Sequence, residues 1–573
     1  MHIETTHNPR STCHLLRQSY WEDGKPKKRT IANLSGLPHH AIEALRQALK
    51  TGQVPTLHNP TLTNTKDHGA VSAILNTIQH TGLDKTIFYQ NSRERNVVLA
   101  MLIARILRPG AKLRVERELS TNGTTTMAGL LNLKDTPVED LYQAMDWLLS
   151  RQKRIEKKLA QRHVGEGDIL MLNVSSSYLE GYFCSLAQYG YSRDHRRDRP
   201  QVTYALLCTA QGCPIAIEAF AGNISDSMTL SNQVIKVRER FGLSKVILVG
   251  DRGMISQARI DEDLQPNGFA WITALRSQTI RKLVQQGQLQ PTLLDDWGLA
   301  QITSPDYPNE RLVVCCNPFL RDERRRKRNA LLAAIEEDIR ALAARYAEGK
   351  IERDEFNRQL GALKRRKMAK HFAYRFDHTT GAFSFARKED AIAEEESLDG
   401  LYVIRTNVTE DELGNVAAVR AYKNMAKVER AFRSFKTSSL RVRPIYHWRE
   451  DQVRSHLFLC LLAYYVEWHM RQQLAPLLLT DEAPQPGVTP VAAPVRSQGA
   501  NNKQSKRRTN EGLSVSSFED LLLHLNGLCV AEMELGKGCT VPVTSQPTAL
   551  QTKVFDLLSG KIHPAPGEVQ SVR

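Results

Sequence analysis

Hydrophobic and polar positions change their period several times along the chain. Residues 12–35 alternate apolar and polar around Asp23-Gly24, the pattern of a β-hairpin. From 68 to 163 the period becomes helical: 96–107 is a strongly apolar helix ended by Pro109-Gly110, and one long helix is expected from Pro137, capped by Thr136, to Arg162. After Gly167 three short apolar runs follow, 169–174, 202–208 and 214–220, the last two joined at Gln211-Gly212. They read as strands. Next come a helix over 226–241, a β-branched strand over 245–250 that ends at Asp251, a helix over 255–264 and a strand over 269–275.

Residues 276–415 interrupt this alternation. They hold strands at 312–316 and 401–405 and, between them, a charged helical hairpin. Leu331, Ile335, Ile339, Leu342 and Tyr346 mark its first helix, Gly349 its turn, and Phe356, Leu360 and Leu363 its second. The stretch from Tyr422 to Lys436 has neither Gly nor Pro, and Met425, Val428, Phe432 and Phe435 recur at three and four, the stripe of one buried helix. Positions seven apart nearly superimpose on a helix, so Tyr422, Glu429 and Lys436 fall in a row along the stripe's edge, with Arg430 and Arg433 toward solvent. Residues 457–466 read as a buried helix, 484–512 as a flexible linker, 518–535 as a small helical segment and the last residues as disordered.

Charge adds a partner to this picture. Lys and Arg outnumber Asp and Glu by 78 to 62, a net charge of +16, and residues 320–370 alone carry 16 basic against 9 acidic side chains. A polyanion is the expected partner, and nucleic acid fits better than a membrane, since the longest apolar run is about half the roughly 20 residues a bilayer needs. The N-terminal residues lack the apolar core of a signal peptide, and nine cysteines show no paired spacing. A cytoplasmic, nucleoid-associated protein is therefore expected. Cys208 and Cys213 flank a turn and Cys315-Cys316 are adjacent; both pairs read as small buried hydrophobes rather than zinc ligands. Trp271 and Trp297 read as core side chains, with base stacking as the other use.

Six segments follow from these changes. They are a β-rich N-terminal segment (1–60), a helical region suited to binding DNA (61–165), the first part of an α/β core (166–275), an insertion with the basic hairpin (276–415), the C-terminal helices of the core (416–480) and a linker with a helical tail (481–573). Three leading strands followed by alternation is the element order of the RNase H-like fold, in which catalytic carboxylates sit on the first strand, just after the fourth, and on a late helix. Asp251 stands just after the fourth strand, where α/β proteins place their sites; a plain turn residue is the other reading. Glu429 taken alone is an ordinary ion-pair face.

Taken together, Gly250-Asp251-Arg252-Gly253, the helix from Tyr422 to Lys436 and Val442-Arg443-Pro444-Ile445 resemble bacterial insertion-sequence transposases of the DDE superfamily, the IS-four-type group and its IS-sixteen-thirty-four-like branch. That group carries a Tyr-x2-Arg-x3-Glu-x6-Lys signature. Tyr422, Glu429 and Lys436 match it in spacing, while Met425 occupies the Arg position. The resemblance implies an RNase H-like core interrupted before its last acidic helix, and two Mg²⁺ (or Mn²⁺) ions. It also implies double-stranded DNA as partner, at the terminal inverted repeats and the target, with at least a dimer bringing two ends together.

The first catalytic Asp of that family falls at Asn173, in Leu172-Asn173-Val174-Ser175-Ser176. In relatives this carboxylate bridges two ions roughly 3.5–4 Å apart. An amide is neutral and offers one acceptor oxygen in place of two, so a hard cation is held poorly. Asp168, five residues earlier, faces the other side and lies about 16 Å away at about 3.3 Å per residue; Glu180 and Glu218 lack the expected position. By resemblance Asp251 and Glu429 hold metal, with Asn173 a weakened third ligand. Tyr422 and Lys436 meet the phosphate at the scissile bond, and Arg430 and Arg433 its neighbours. Arg193, Arg196 and Arg197, in the loop 191–199, suit a DNA backbone or a solvated loop equally, and Arg441 and Arg443 suit a backbone or a helix exit. The expected function is an insertion-sequence transposase with impaired catalysis; the alternatives are an inactive or domesticated DNA-binding factor, and a nuclease without strand transfer.

Overall fold

A computed structural model of the chain describes residues 1–564 apart from 9–10, 23–24, 53–60, 182, 291–293, 378–380, 438–439, 486, 488, 493 and 535–539. At the N-terminus β1 (His2–Asn8), β2 (Ser11–Glu22) and β3 (Lys25–Asn33) pair antiparallel, so the expected hairpin gains a strand before it. Its Asp23-Gly24 turn lies outside the described residues. A fourth strand, β4 (Thr61–Asp67), opens the helical region.

The core sheet builds outward from the apolar runs. β5 (Ile169–Tyr178), β6 (Gln201–Thr209) and β7 (Pro214–Ala221) pair antiparallel in sequence, while β8 (Ile247–Val249) and β9 (Ala270–Ala274) add parallel to β5 on its other side. The order β7-β6-β5-β8-β9 is that of an RNase H-like sheet, with β5 and β8 side by side. Among the inserted residues β10 (Leu299–Ile302), β11 (Arg311–Cys316) and β14 (Leu401–Thr406) extend the same sheet, β14 pairing antiparallel with β9. The strands of the insertion are thus continuous with the core, while its helical hairpin and the small sheet of β12 (Phe372–Phe376) and β13 (Phe383–Arg387) form a separate cluster.

The two sheet faces bury different helices. Met171, Val249 and Ile272 share a core with Val428, Phe432 and Phe435 and with the buried helix Glu450–Gln473. Leu170, Leu172, Leu248 and Trp271 pack instead with Leu230, Val234, Ile260 and Leu264. Alternation along β5 therefore decides which side chains face the late helices.

Several expectations change at this level. The helix expected from Pro137 to Arg162 is two, Val138–Leu149 and Gln152–His163, with Ser150 hydrogen bonding back to the Trp147 carbonyl at the joint. In the charged hairpin, Pro318–Ala347 and Arg353–Lys364, Leu332 is buried and Leu331 is exposed, because the burying face also carries Arg328, paired with Asp399. Trp271 is buried as expected, whereas Trp297 is exposed, at a turn closed by Asp295. The stretch read as a linker contains the helix Gln498–Lys506, whose cap Ser497 bonds Asp481. After the helix Phe518–Leu525 the tail forms β15 (Cys529–Glu534) and β16 (Thr540–Thr544), and β15 pairs with β4. Among the described residues no helix is long and apolar enough to cross a membrane.

Two histidines of the helical core set a pH dependence. Burial, with Lys112 and Arg105 nearby, holds His447 down to about 3, and burial holds His456 well below its ordinary value. Both are neutral when folded and protonate on unfolding. Between pH 6.5 and 4 the unfolded chain binds the additional protons, so stability falls as pH falls through that window, by about 1.4 kcal/mol per pH unit for a fully buried histidine. Thermal melts from pH 7.5 to 4.5 should show a steadily falling Tm below 6.5, and a flat profile there would contradict the assignment.

Candidate active site

Strand register brings the first two candidate residues together. β5 and β8 run parallel with Met171 opposite Val249, so Asn173, midway along β5, and Asp251, two residues past the end of β8, follow neighbouring positions on adjacent strands. Each has the parity of a residue that faces the late helices, so both open onto the face that the helix Met425–Lys436 covers. Asp251 is held by its own turn: its Oδ1 accepts from the backbone N–H of Gly253 at 2.8 Å and of Met254 at 2.9 Å. The second carboxylate oxygen is left for a ligand. Asn173 Oδ1 accepts from the N–H of Val174 at 2.7 Å, so the amide's acceptor is engaged within its strand and its NH₂ remains, a donor where a carboxylate would accept.

Glu429 arrives from above. The helix Met425–Lys436 buries Met425, Val428, Ala431, Phe432 and Phe435 and leaves Arg430 and Arg433 exposed, as the stripe predicts; Glu429, expected at the stripe's edge, is exposed too. One expectation fails here: Tyr422 does not belong to the same helix. The helix Asn415–Lys423 ends first, and at Asn424 the ladder narrows to a three-residue step, Lys427 N–H to Asn424 C=O at 2.8 Å. Asn competes poorly for a helix interior, and Lys423 just before it is drawn to the carbonyls of Pro490, Val491 and Ala492.

Tyr422 nevertheless reaches the site. Its half-buried phenol is pushed above its ordinary value by burial first, then by the negative charge of Asp251, against the opposing Arg252, and by that of Glu429. One phenol thus feels both carboxylates.

The cationic candidates divide. Lys436 is largely buried and bonds Asp194 at 2.9 Å, and Arg443 pairs with the same carboxylate oxygen. Burial lowers the Lys436 amine while Asp194 counters it. Arg193 pairs with Asp226 and Arg196 with Asp198, so these two side chains are engaged within the protein. Arg197, Arg430, Arg433 and Arg441 are exposed. Asp194 is the residue that reading the loop as basic overlooks; its side chain is fully buried and one oxygen lacks a hydrogen-bond partner. The signal was an acid set among cations beside Ser192 and Ser176. Ser192 Oγ accepts from the Arg196 N–H, and Ser176 Oγ from the Arg193 N–H, pinning the loop on β5.

Other acids stand elsewhere. Asp168 caps the start of β5 through the Gly165 N–H, Glu180 pairs with Arg199, and Glu218 with Lys236.

Residues 181–466 match the model of the transposase DDE domain, and residues 3–55 match that of the IS1634 family transposase N-terminal domain. No curated protein matches. The cryo-EM structure of the piggyBac transposase synaptic complex with hairpin DNA aligns with 80% of this chain and 76% of that chain, at 9% identity and a TM-score of 0.34.

Proposed function

The chain belongs to the IS1634 family of DDE transposases, and from that premise we propose that it binds the terminal inverted repeats of its element and that Asn173, Asp251 and Glu429 mark the centre at which active relatives cut and join DNA. The observation that supports this most directly is Tyr422, whose phenol lies in the field of both Asp251 and Glu429.

The donor set fits a divalent ion of the Mg²⁺ class in part. Asp251 and Glu429 supply anionic oxygens, and such an ion when bound would activate an attacking oxygen or stabilise a leaving one. Asn173 presents an amide in the third place, which supports a reading of retained DNA binding with impaired phosphoryl transfer. Around this centre Arg430 and Arg433 offer exposed guanidinium groups to the backbone, and Tyr422 a hydroxyl. Lys436 and Arg443 join them once Asp194 lets them go. Two ends must be held at once for transposition, so the working form is at least a dimer.

Binding of a labelled element-end duplex, measured against a scrambled duplex at several salt concentrations, tests the first half. Specific, salt-dependent binding is expected, and Arg430→Ala and Arg433→Ala should each weaken binding to all sequences and reduce the salt slope by about 1. Equal affinity for both duplexes would remove the inverted repeats as the target.

A further inference from the structure

Away from the carboxylates, three metal-ligating side chains converge where three parts of the chain meet. His163 ends the helix Gln152–His163, Cys213 lies in the turn between β6 and β7, and His469 lies near the end of the helix Glu450–Gln473. A ring nitrogen of each histidine and the Cys213 sulfur all lie within 4.8 Å of one another. The rings of His163 and His469 stand 5.7 Å apart, tilted by 41°. We propose that His163, Cys213 and His469 form a transition-metal site of the Zn²⁺ class, separate from the carboxylate centre, that clasps the N-terminal helical region and the C-terminal helix to the core sheet.

Four observations carry this. The ligand set is two imidazoles and one thiol, which suits Zn²⁺ or Co²⁺ and not Mg²⁺. Zn–N and Zn–S bonds of about 2.0–2.1 and 2.3 Å put ligand atoms closer together than 4.8 Å, so a modest contraction closes the site. His469 Nε2 is buried with no hydrogen-bond partner, an orphaned donor or acceptor of the kind a ligand satisfies. The Tyr465 hydroxyl stands 2.8 Å from His163 Nε2 and fixes that ring, as outer-shell partners of metal-bound histidines do. Arg162 is the opposing charge nearby, and its guanidinium is engaged by the Thr81 carbonyl, the Thr86 hydroxyl and, at 3.4 Å, the Tyr465 hydroxyl. Binding converts the Cys213 thiol to a thiolate and releases one proton to solvent, and the thiolate offsets that cation.

The site also touches the catalytic helix. Lys427, two residues before Glu429, donates to the Ala210 carbonyl in the same turn at 3.1 Å, and a Cβ at Gly212 would lie 3.0 Å from Lys427 Cβ. A metal at Cys213 therefore stiffens the turn on which the Glu429 helix rests.

The test uses the full chain, stripped with a chelator and titrated with Co²⁺ under reducing conditions. One Co²⁺ per chain with a sulfur-to-cobalt charge-transfer band is expected, displaced by Zn²⁺ and untouched by excess Mg²⁺. Cys213→Ser should abolish the band, and His469→Gln should weaken Co²⁺ binding by about tenfold or more. The unaltered chain decides the matter if a variant misfolds. No thiolate band, or a band unchanged in Cys213→Ser, overturns the site, while loss of DNA cleavage or binding alone bears only on the carboxylate centre.

Discussion

Replacing Asn173 with Asp is expected to raise cleavage of an element-end duplex by about a hundredfold or more in Mg²⁺. The substitution is nearly isosteric, so β5 and its pairing with Leu206 are kept. What changes is charge and donor pattern. The amide oxygen that accepts from Val174 leaves an NH₂ facing the site, whereas a carboxylate can accept that same N–H and still offer a second oxygen. With Asp251 just past the end of the adjacent strand and Glu429 on the covering helix, the proposed centre would gain a third negative charge, and metal ions in such sites contribute several kcal/mol to the transition state. At about 1.4 kcal/mol per tenfold, a hundredfold gain asks for only about 3 kcal/mol. The measurement is cleavage of one labelled duplex by both proteins in Mg²⁺ and in Mn²⁺. If the unaltered chain cuts as fast as the variant, Asn173 is not the missing ligand. A gain in Asn173→Asp that then vanishes with Glu429→Gln would tie the three positions into one centre.

The second large effect is expected at Asp194, and on stability. Its buried carboxylate receives Lys436 at 2.9 Å and Arg443 beside it, and Lys436 is itself largely buried. Removing one partner of a buried pair leaves the other charge desolvated, a cost of about 3 kcal/mol or more. Asp194→Ala should therefore lower the denaturant midpoint markedly. It should also steepen the salt dependence of DNA binding by up to about two ions, because two cations no longer have a partner inside the protein. A variant as stable as the parent would show that the pair is weak, and an unchanged salt slope would show that Lys436 and Arg443 stay away from DNA.

The parts that the sequence made legible are those fixed by local period. Met425, Val428, Phe432 and Phe435 define a buried face whatever lies beneath it, and the apolar runs around Ile169 and Val249 already marked the strand that carries Asn173 and the strand that Asp251 follows. What stayed hidden depends on partners far away in the chain. The step at Asn424 goes with the pull of residues 490–492 on Lys423, and Leu332 rather than Leu331 is buried because Arg328 turns inward to Asp399. Lys436 has the right spacing for a phosphate contact, yet spacing alone does not show that Asp194 occupies it. The helix Gln498–Lys506 is hydrophilic and lacks an apolar stripe; only Ser497 as a cap announced it.

The pairing of β4 with β15 has a consequence for how the protein is made. Thr63 and Glu532, 469 positions apart, meet in that ladder, and His68 and Gly69 both donate to Leu528. At about 5–20 residues per second, a ribosome that has released β4 needs tens of seconds before β15 emerges. During that interval the helical region has an open strand edge, available to a chaperone or to a second nascent chain.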